Sequence, residues 1–91
     1  MLKIDVWNTA EPFLKNLTGK SARQVARRIE QLAENPTPPK SKMLEGFASL
    51  RRLRSGDFRI IYFVRSDTLN IVIVDHRNDD RIYRRLKQLF G

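Results

Sequence analysis

Three segments rich in apolar and β-branched residues follow one another closely: Ser49 to Arg54, Asp57 to Arg65 and Thr68 to His76. Only "SGD" and "RSDT" join them. Both are tight-turn sequences, so the three segments are expected to pair as an antiparallel meander. Upstream, "LKIDVW" alternates Leu2, Ile4 and Val6 with Lys3 and Asp5, the period of a half-buried strand. Thr9 suits the N-cap of a short helix marked by Phe13, Leu14 and Leu17, with Pro12 in its first turn and Gly19 at its end. Ser21 and Gln24 then have capping-box spacing, and Ala22, Val25, Ala26, Ile29, Leu32 and Ala33 form the apolar stripe of a longer helix. "NPTPPKSKMLEG", with three prolines and a glycine, reads as an ordered surface loop. From Asp79 or Asp80, a helix with acid at its positive end carries Ile82, Leu86, Leu89 and Phe90 on one side. The expected order is β-α-α-β-β-β-α, an α+β fold in one small domain over residues 1–91, with an antiparallel sheet packed by helices.

The charge balance narrows the function. Eighteen Lys and Arg stand against ten Asp and Glu, a formal charge of +8 on 91 residues, and twelve of the eighteen are arginine. Arginine is the residue suited to bidentate phosphate contact, so a nucleic acid is the first partner to consider. A solvated basic surface, or one that meets an acidic protein, is the alternative. The absence of cysteine excludes disulfides and thiolate chemistry and suits a reducing cytoplasm. The single histidine, His76, cannot build an imidazole metal site, and no carboxylate cluster compensates. "MLKIDVWNTA" has no apolar signal region, and the longest purely apolar run, Ile60 to Val64, is far too short for a bilayer. A soluble cytoplasmic protein without metal or membrane contact is expected.

Alternation then assigns faces. Leu50, Arg52 and Arg54 point one way and Arg51 and Leu53 the other. Arg59 shares a face with Ile61 and Phe63, while Ile71, Ile73, Asp75 and Arg77 are expected together on the next strand. Arg59 begins its strand and Arg77 follows the end of the neighbouring one, and those ends are adjacent in an antiparallel pair. With Arg52 or Arg54 on the same face, three guanidinium groups from three strands, Arg59 and Arg77 among them, are expected to converge beside the turn into the last helix as a basic pocket. The alternative is a set of ordinary edge ion pairs with Asp57, Asp75, Asp79 or Asp80, which contribute little.

"KMLEGFASLRRLRSGDFRIIY", followed by "DHRNDDRIYRRL", resembles the RelE/ParE toxin superfamily over nearly the whole chain, including its order of elements. The RelE branch consists of toxins that cleave messenger RNA in the ribosomal A site without metal, each held by an antitoxin. The ParE branch poisons DNA gyrase instead. The histidine-arginine pair and tyrosine of "HRNDDRIY" favour the RelE branch. By this resemblance Arg59 holds the scissile phosphate, Arg77 protonates or stabilises the leaving oxygen, and Tyr83 stacks on or orients the nucleotide. Arg51, Arg54, Lys40 and Lys42 are expected to contact RNA. Two lysines of well-studied members are replaced here by Leu50 and Arg52. Arginine stabilises charge but accepts protons poorly, so His76 is the candidate general base. The implied activity is ribosome-dependent endoribonuclease action on mRNA by attack of the 2′-hydroxyl, and the implied partners are ribosome, mRNA and a cognate antitoxin. The alternatives are a ParE-like gyrase inhibitor and a weak relative that retains only antitoxin binding.

Overall fold

The computed structural model describes residues 1–91. In chain order it contains β1 (Lys3–Val6), α1 (Glu11–Asn16), α2 (Gly19–Glu34), β2 (Lys42–Met43), β3 (Arg51–Ser55), β4 (Phe58–Arg65), β5 (Thr68–His76) and α3 (Asp79–Phe90). They form one five-stranded sheet in the order β1-β5-β4-β3-β2. The meander β3–β4–β5 is antiparallel throughout. Its first turn, Gly56-Asp57, places glycine at φ +59, where a side chain would be strained. Two features lie outside the expected plan. β1 joins β5 in parallel, which makes the sheet mixed. The proline-rich loop carries the two-residue strand β2, antiparallel to β3.

Helices cover both faces of the sheet. On one face Val25, Ile29 and Leu32 of α2 pack against Leu53, Ile60, Tyr62, Leu69, Ile71 and Val74. On the other, Ile82 and Leu86 of α3 pack against Leu50, Ile61, Val72 and Ile73. A β-bulge explains why Ile71 and Ile73 part company. Ile61 pairs with Ile73 but Tyr62 with Ile71, which leaves Val72 as an extra residue in β5. Strict alternation predicts one face for Ile71 and Ile73; the bulge resets the parity and sends Ile71 to the α2 side. The carbonyl of Val72 accepts the hydroxyl proton of Thr9, so the bulge leaves no orphaned acceptor there.

That bond also removes Thr9 from the capping role its sequence position suggests. Ala10 occupies the N-cap of α1. Similarly, α2 begins at Gly19 after an extended Thr18, so the Ser21–Gln24 capping box falls inside the helix and is not formed. Gly19, at φ +58, serves the junction between the two helices instead of ending the first. At α3 the Asn78 side chain caps the helix by accepting from the Arg81 backbone N–H at 3.0 Å, just ahead of Asp79 and Asp80. Leu89 and Phe90 of its expected stripe are partly exposed. No helix is long and apolar enough to cross a membrane.

Tyr62 is fully buried, and its hydroxyl donates to the Pro36 carbonyl at 2.7 Å, anchoring the proline loop to the sheet. Burial pushes this phenol above its ordinary value of 10. A group whose folded pKa is raised contributes stability that is complete below its unfolded pKa and is lost as pH rises through the folded one. Tyr62→Phe is therefore expected to cost about 1 kcal/mol near neutral pH and to flatten the fall in stability above about pH 10. Urea unfolding across alkaline pH reads both effects.

Candidate functional site

Cross-strand register brings the basic residues together. Arg54, Arg59 and Asp75 lie opposite one another across β3, β4 and β5, and the next row holds Lys42, Arg52 and Ile61. Directly paired residues share a face, and Ile61 identifies it as the face covered by α3. Four cations from three strands thus stand on the α3 side at one end of the sheet. Arg77 lies one residue beyond β5, where its backbone N–H donates to the Asp57 carbonyl at 2.8 Å.

Arg59 is the centre of this group. Its Nη1 donates to the carbonyls of Gly56 at 3.1 Å and Phe58 at 2.9 Å, so its own hairpin fixes the guanidinium. Its Nε is buried with no acceptor. Burial, and then the neighbouring charge of Arg54, hold the Arg59 guanidinium below its ordinary value, with smaller pushes from Arg52 and Arg77 against the pull of Asp79. A fixed cation among further cations, with Nη2 bound to no protein acceptor, is the arrangement an oxyanion satisfies.

The ion-pair alternative holds only at the margins. Arg77 Nε lies 3.8 Å from Asp57, with both side chains more than two-thirds exposed, a contact that contributes little. Arg52, largely covered, lies 3.8 Å from Asp79 in the first turn of α3. Arg59 has no carboxylate within 4 Å. Its cross-strand neighbour Asp75 is buried and fully engaged elsewhere: Arg81 donates Nε to Oδ2 at 3.0 Å and Nη2 to Oδ1 at 2.6 Å, and the His76 backbone N–H donates at 2.7 Å. Arg85 Nη1 approaches the same carboxylate at 3.6 Å while its Nη2 donates to the Thr9 carbonyl.

Tyr83 lies on α3 one turn beyond Asp79, half-buried, with its ring 5.9 Å from Phe47 on the same side of the sheet as the arginines. His76 is not brought to the cluster. It points to the α2 face, its ring 5.2 Å from Phe13 and 5.3 Å from Phe58. Arg51 also faces away, with Nε and Nη2 donating to the Ser41 hydroxyl at 3.4 and 3.3 Å. Lys40 and Arg54 share a depression of about 310 Å³ at the β3 edge with Arg28. The largest concavity, about 560 Å³, is an apolar groove elsewhere, between Trp7, Phe47, Phe63 and Phe90. Sequence reasoning overlooked Arg81 and Arg85; their one signal was i,i+4 spacing on α3, which on a basic helix also describes a solvated face.

Inorganic phosphate is expected to stabilise the protein through Arg59. At tenfold excess over its Kd the gain is about 1.4 kcal/mol, and it should largely vanish in Arg59→Ala. Unfolding midpoints of both proteins in phosphate and in chloride of equal ionic strength separate this from general salt effects.

Residues 7–81 match the family described as ParE toxin of type II toxin-antitoxin system, parDE. No curated protein sequence matches significantly. Among solved structures, a mutant of the Escherichia coli toxin RelE in the free state superposes with a TM-score of 0.78 at 17% identity, covering 99% of this chain and 98% of that one. The RelBE2 toxin-antitoxin complex from Mycobacterium tuberculosis gives 0.71 at 24% identity, with 84% and 98% covered. The archaeal RelE-RelB complex from Pyrococcus horikoshii gives 0.72 at 24%, with 85% and 96% covered.

Proposed function

From the premise that this chain belongs to the ParE toxin family of type II toxin–antitoxin systems, within the RelE/ParE superfamily, we propose that its arginine face acts on messenger RNA in the ribosome. The observation that carries this reading is Arg59: a guanidinium fixed by its own hairpin, unpaired at Nε, with no carboxylate partner and other cations around it. In this reading Arg59 binds the scissile phosphate, and Arg52 and Arg54 add positive charge. Arg77, exposed and only loosely held by Asp57, reaches the leaving oxygen. Tyr83, on the first turns of α3, stacks on or orients the nucleotide. Lys42 and Lys40 extend the contact along the RNA backbone.

The step is attack of a 2′-hydroxyl on its own 3′-phosphate. The P–O5′ bond breaks, leaving a 2′,3′-cyclic phosphate and a 5′-hydroxyl that takes up a proton. Preorganised guanidinium groups stabilise the charge of the phosphorane, the part of the reaction this face is equipped for. It carries neither lysine at the two positions now Leu50 and Arg52, nor His76, which lies on the other side of the sheet. Alignment of the 2′-oxygen and removal of its proton then depend on the ribosome, and free RNA is a poor substrate. The proposed regulatory partner is a cognate antitoxin that covers the basic surface. The cytoplasm, where ribosomes are, is the proposed site of action.

A second reading has support of its own. The family model is that of the ParE toxins, and a gyrase inhibitor needs no catalytic residue. Cleavage of mRNA in a purified translation complex and gyrase supercoiling, assayed side by side, separate the two. The ribonuclease reading expects cut mRNA and unaffected supercoiling, and the reverse result favours the gyrase reading. Arg59→Ala and Arg77→Ala are each expected to reduce cleavage about 10²–10³-fold, the loss typical of one oxyanion donor. His76→Ala is expected to remain within roughly tenfold of wild type, whereas a general base contributes about 10²–10⁴-fold.

A further inference from the structure

We infer that Arg81 is a positioning residue: by clamping Asp75 from above, it keeps that carboxylate from neutralising Arg59 across the strand pair. The inference rests on the reading of Arg59 as the anion receptor. Asp75 sits directly opposite Arg59 in the β4–β5 register, on the same face. Paired positions on one face bring Cβ atoms within about 5.5 Å, well inside the reach of an arginine to an aspartate. Left to themselves, these two residues form a cross-strand ion pair.

The structure shows another arrangement. Both Asp75 oxygens are taken by the Arg81 fork, one of them also by the His76 backbone N–H, and Arg85 stands 3.6 Å away. Asp75 is only 5% exposed, so it has no water shell to fall back on. Arg59 bends back to its hairpin carbonyls and keeps Nε unpaired. The carboxylate nearest in register is thus satisfied from the helix, and the positive field around Arg59 is left to an incoming anion.

Without Arg81, Asp75 retains the His76 backbone donor and Arg85, which stands 3.6 Å from Oδ2 and is tied by its other nitrogen to the Thr9 carbonyl. A buried carboxylate that has lost its bidentate partner turns to other donors, and with Arg85 tethered to Thr9 the guanidinium opposite it in register is Arg59. The new pair cancels the charge of the receptor. The prediction is specific: Arg81 is not expected to touch the RNA, yet its loss weakens anion binding, and removing the Asp75 charge restores it.

Arginine side-chain NMR during titration with inorganic phosphate tests this on wild type, Arg81→Ala, Asp75→Asn and the double variant, with Arg59→Ala to assign the Arg59 Nε signal. Phosphate is expected to move that signal in wild type and in Asp75→Asn with similar affinity. In Arg81→Ala the affinity should fall roughly tenfold or more, the worth of one charge-assisted hydrogen bond. In Arg81→Ala/Asp75→Asn it should return to within about threefold of wild type by the same arithmetic. If Arg81→Ala does not fold, Arg81→Gln, which keeps the stem and one donor, takes its place in the comparison. Equal affinity in wild type and the Arg81 variant, or no recovery in the double variant, overturns the inference while leaving Arg59 as the receptor. No shift of the Arg59 signal in wild type overturns the reading of Arg59 itself, and the inference with it.

Discussion

The buried Asp75 carboxylate, held by Arg81 and Arg85 of α3, is the interaction on which the arrangement of the site depends. Asp75 is buried but the Arg81 side chain is 45% exposed, so losing Arg81 is expected to cost about 1.5–3 kcal/mol, the range for hydrogen bonds to a charged group, out of the roughly 5–14 kcal/mol expected for a domain of this size. The pair therefore fixes where the first turns of α3 lie. Those turns carry Asp79 beside Arg52 and Tyr83 against Phe47. The same contact that docks the helix leaves Arg59 without a carboxylate partner across the strand pair.

The sheet keeps the two tasks apart by side. Its α2 face is packing: Tyr62, Ile60 and Leu53 lie under Val25, Ile29 and Leu32, and His76 rests among Phe13 and Phe58. Its α3 face is apolar beneath Ile82 and Leu86 and cationic at the end where β3 and β4 meet in the Gly56-Asp57 turn. Guanidinium groups set among strand residues would be destabilising if buried without partners. Placed at the end of one face, they keep backbone carbonyls, distant carboxylates and solvent as partners.

Much of this was legible from periodicity. The meander, the apolar stripe of α2 and the shared face of Arg52, Arg54 and Arg59 follow from side-chain alternation and turn chemistry, which are local. The parallel docking of β1 is not local: Lys3 pairs with Thr68, and nothing in "LKIDVW" names its partner. The bulge at Val72 carries no glycine or proline to mark it, and its support comes from Thr9, far away in sequence. Local capping signals at Thr9 and Ser21 lost to tertiary demand, the first to a bulge carbonyl and the second to an earlier helix start. Arg81 and Arg85 escaped notice because a basic helix face reads as solvated until the buried aspartate beneath it is seen.

A basic face that works on translated messages leaves cut ends in them. Mapping the 5′ ends of cellular mRNA after a brief pulse of expression without an antitoxin reads those ends. New 5′-hydroxyl ends are expected inside translated regions, at a fixed position relative to the codon, and absent when Arg59→Ala is expressed to the same level. Intact messages alongside arrested growth and damaged or relaxed DNA would contradict that expectation and place the target on gyrase.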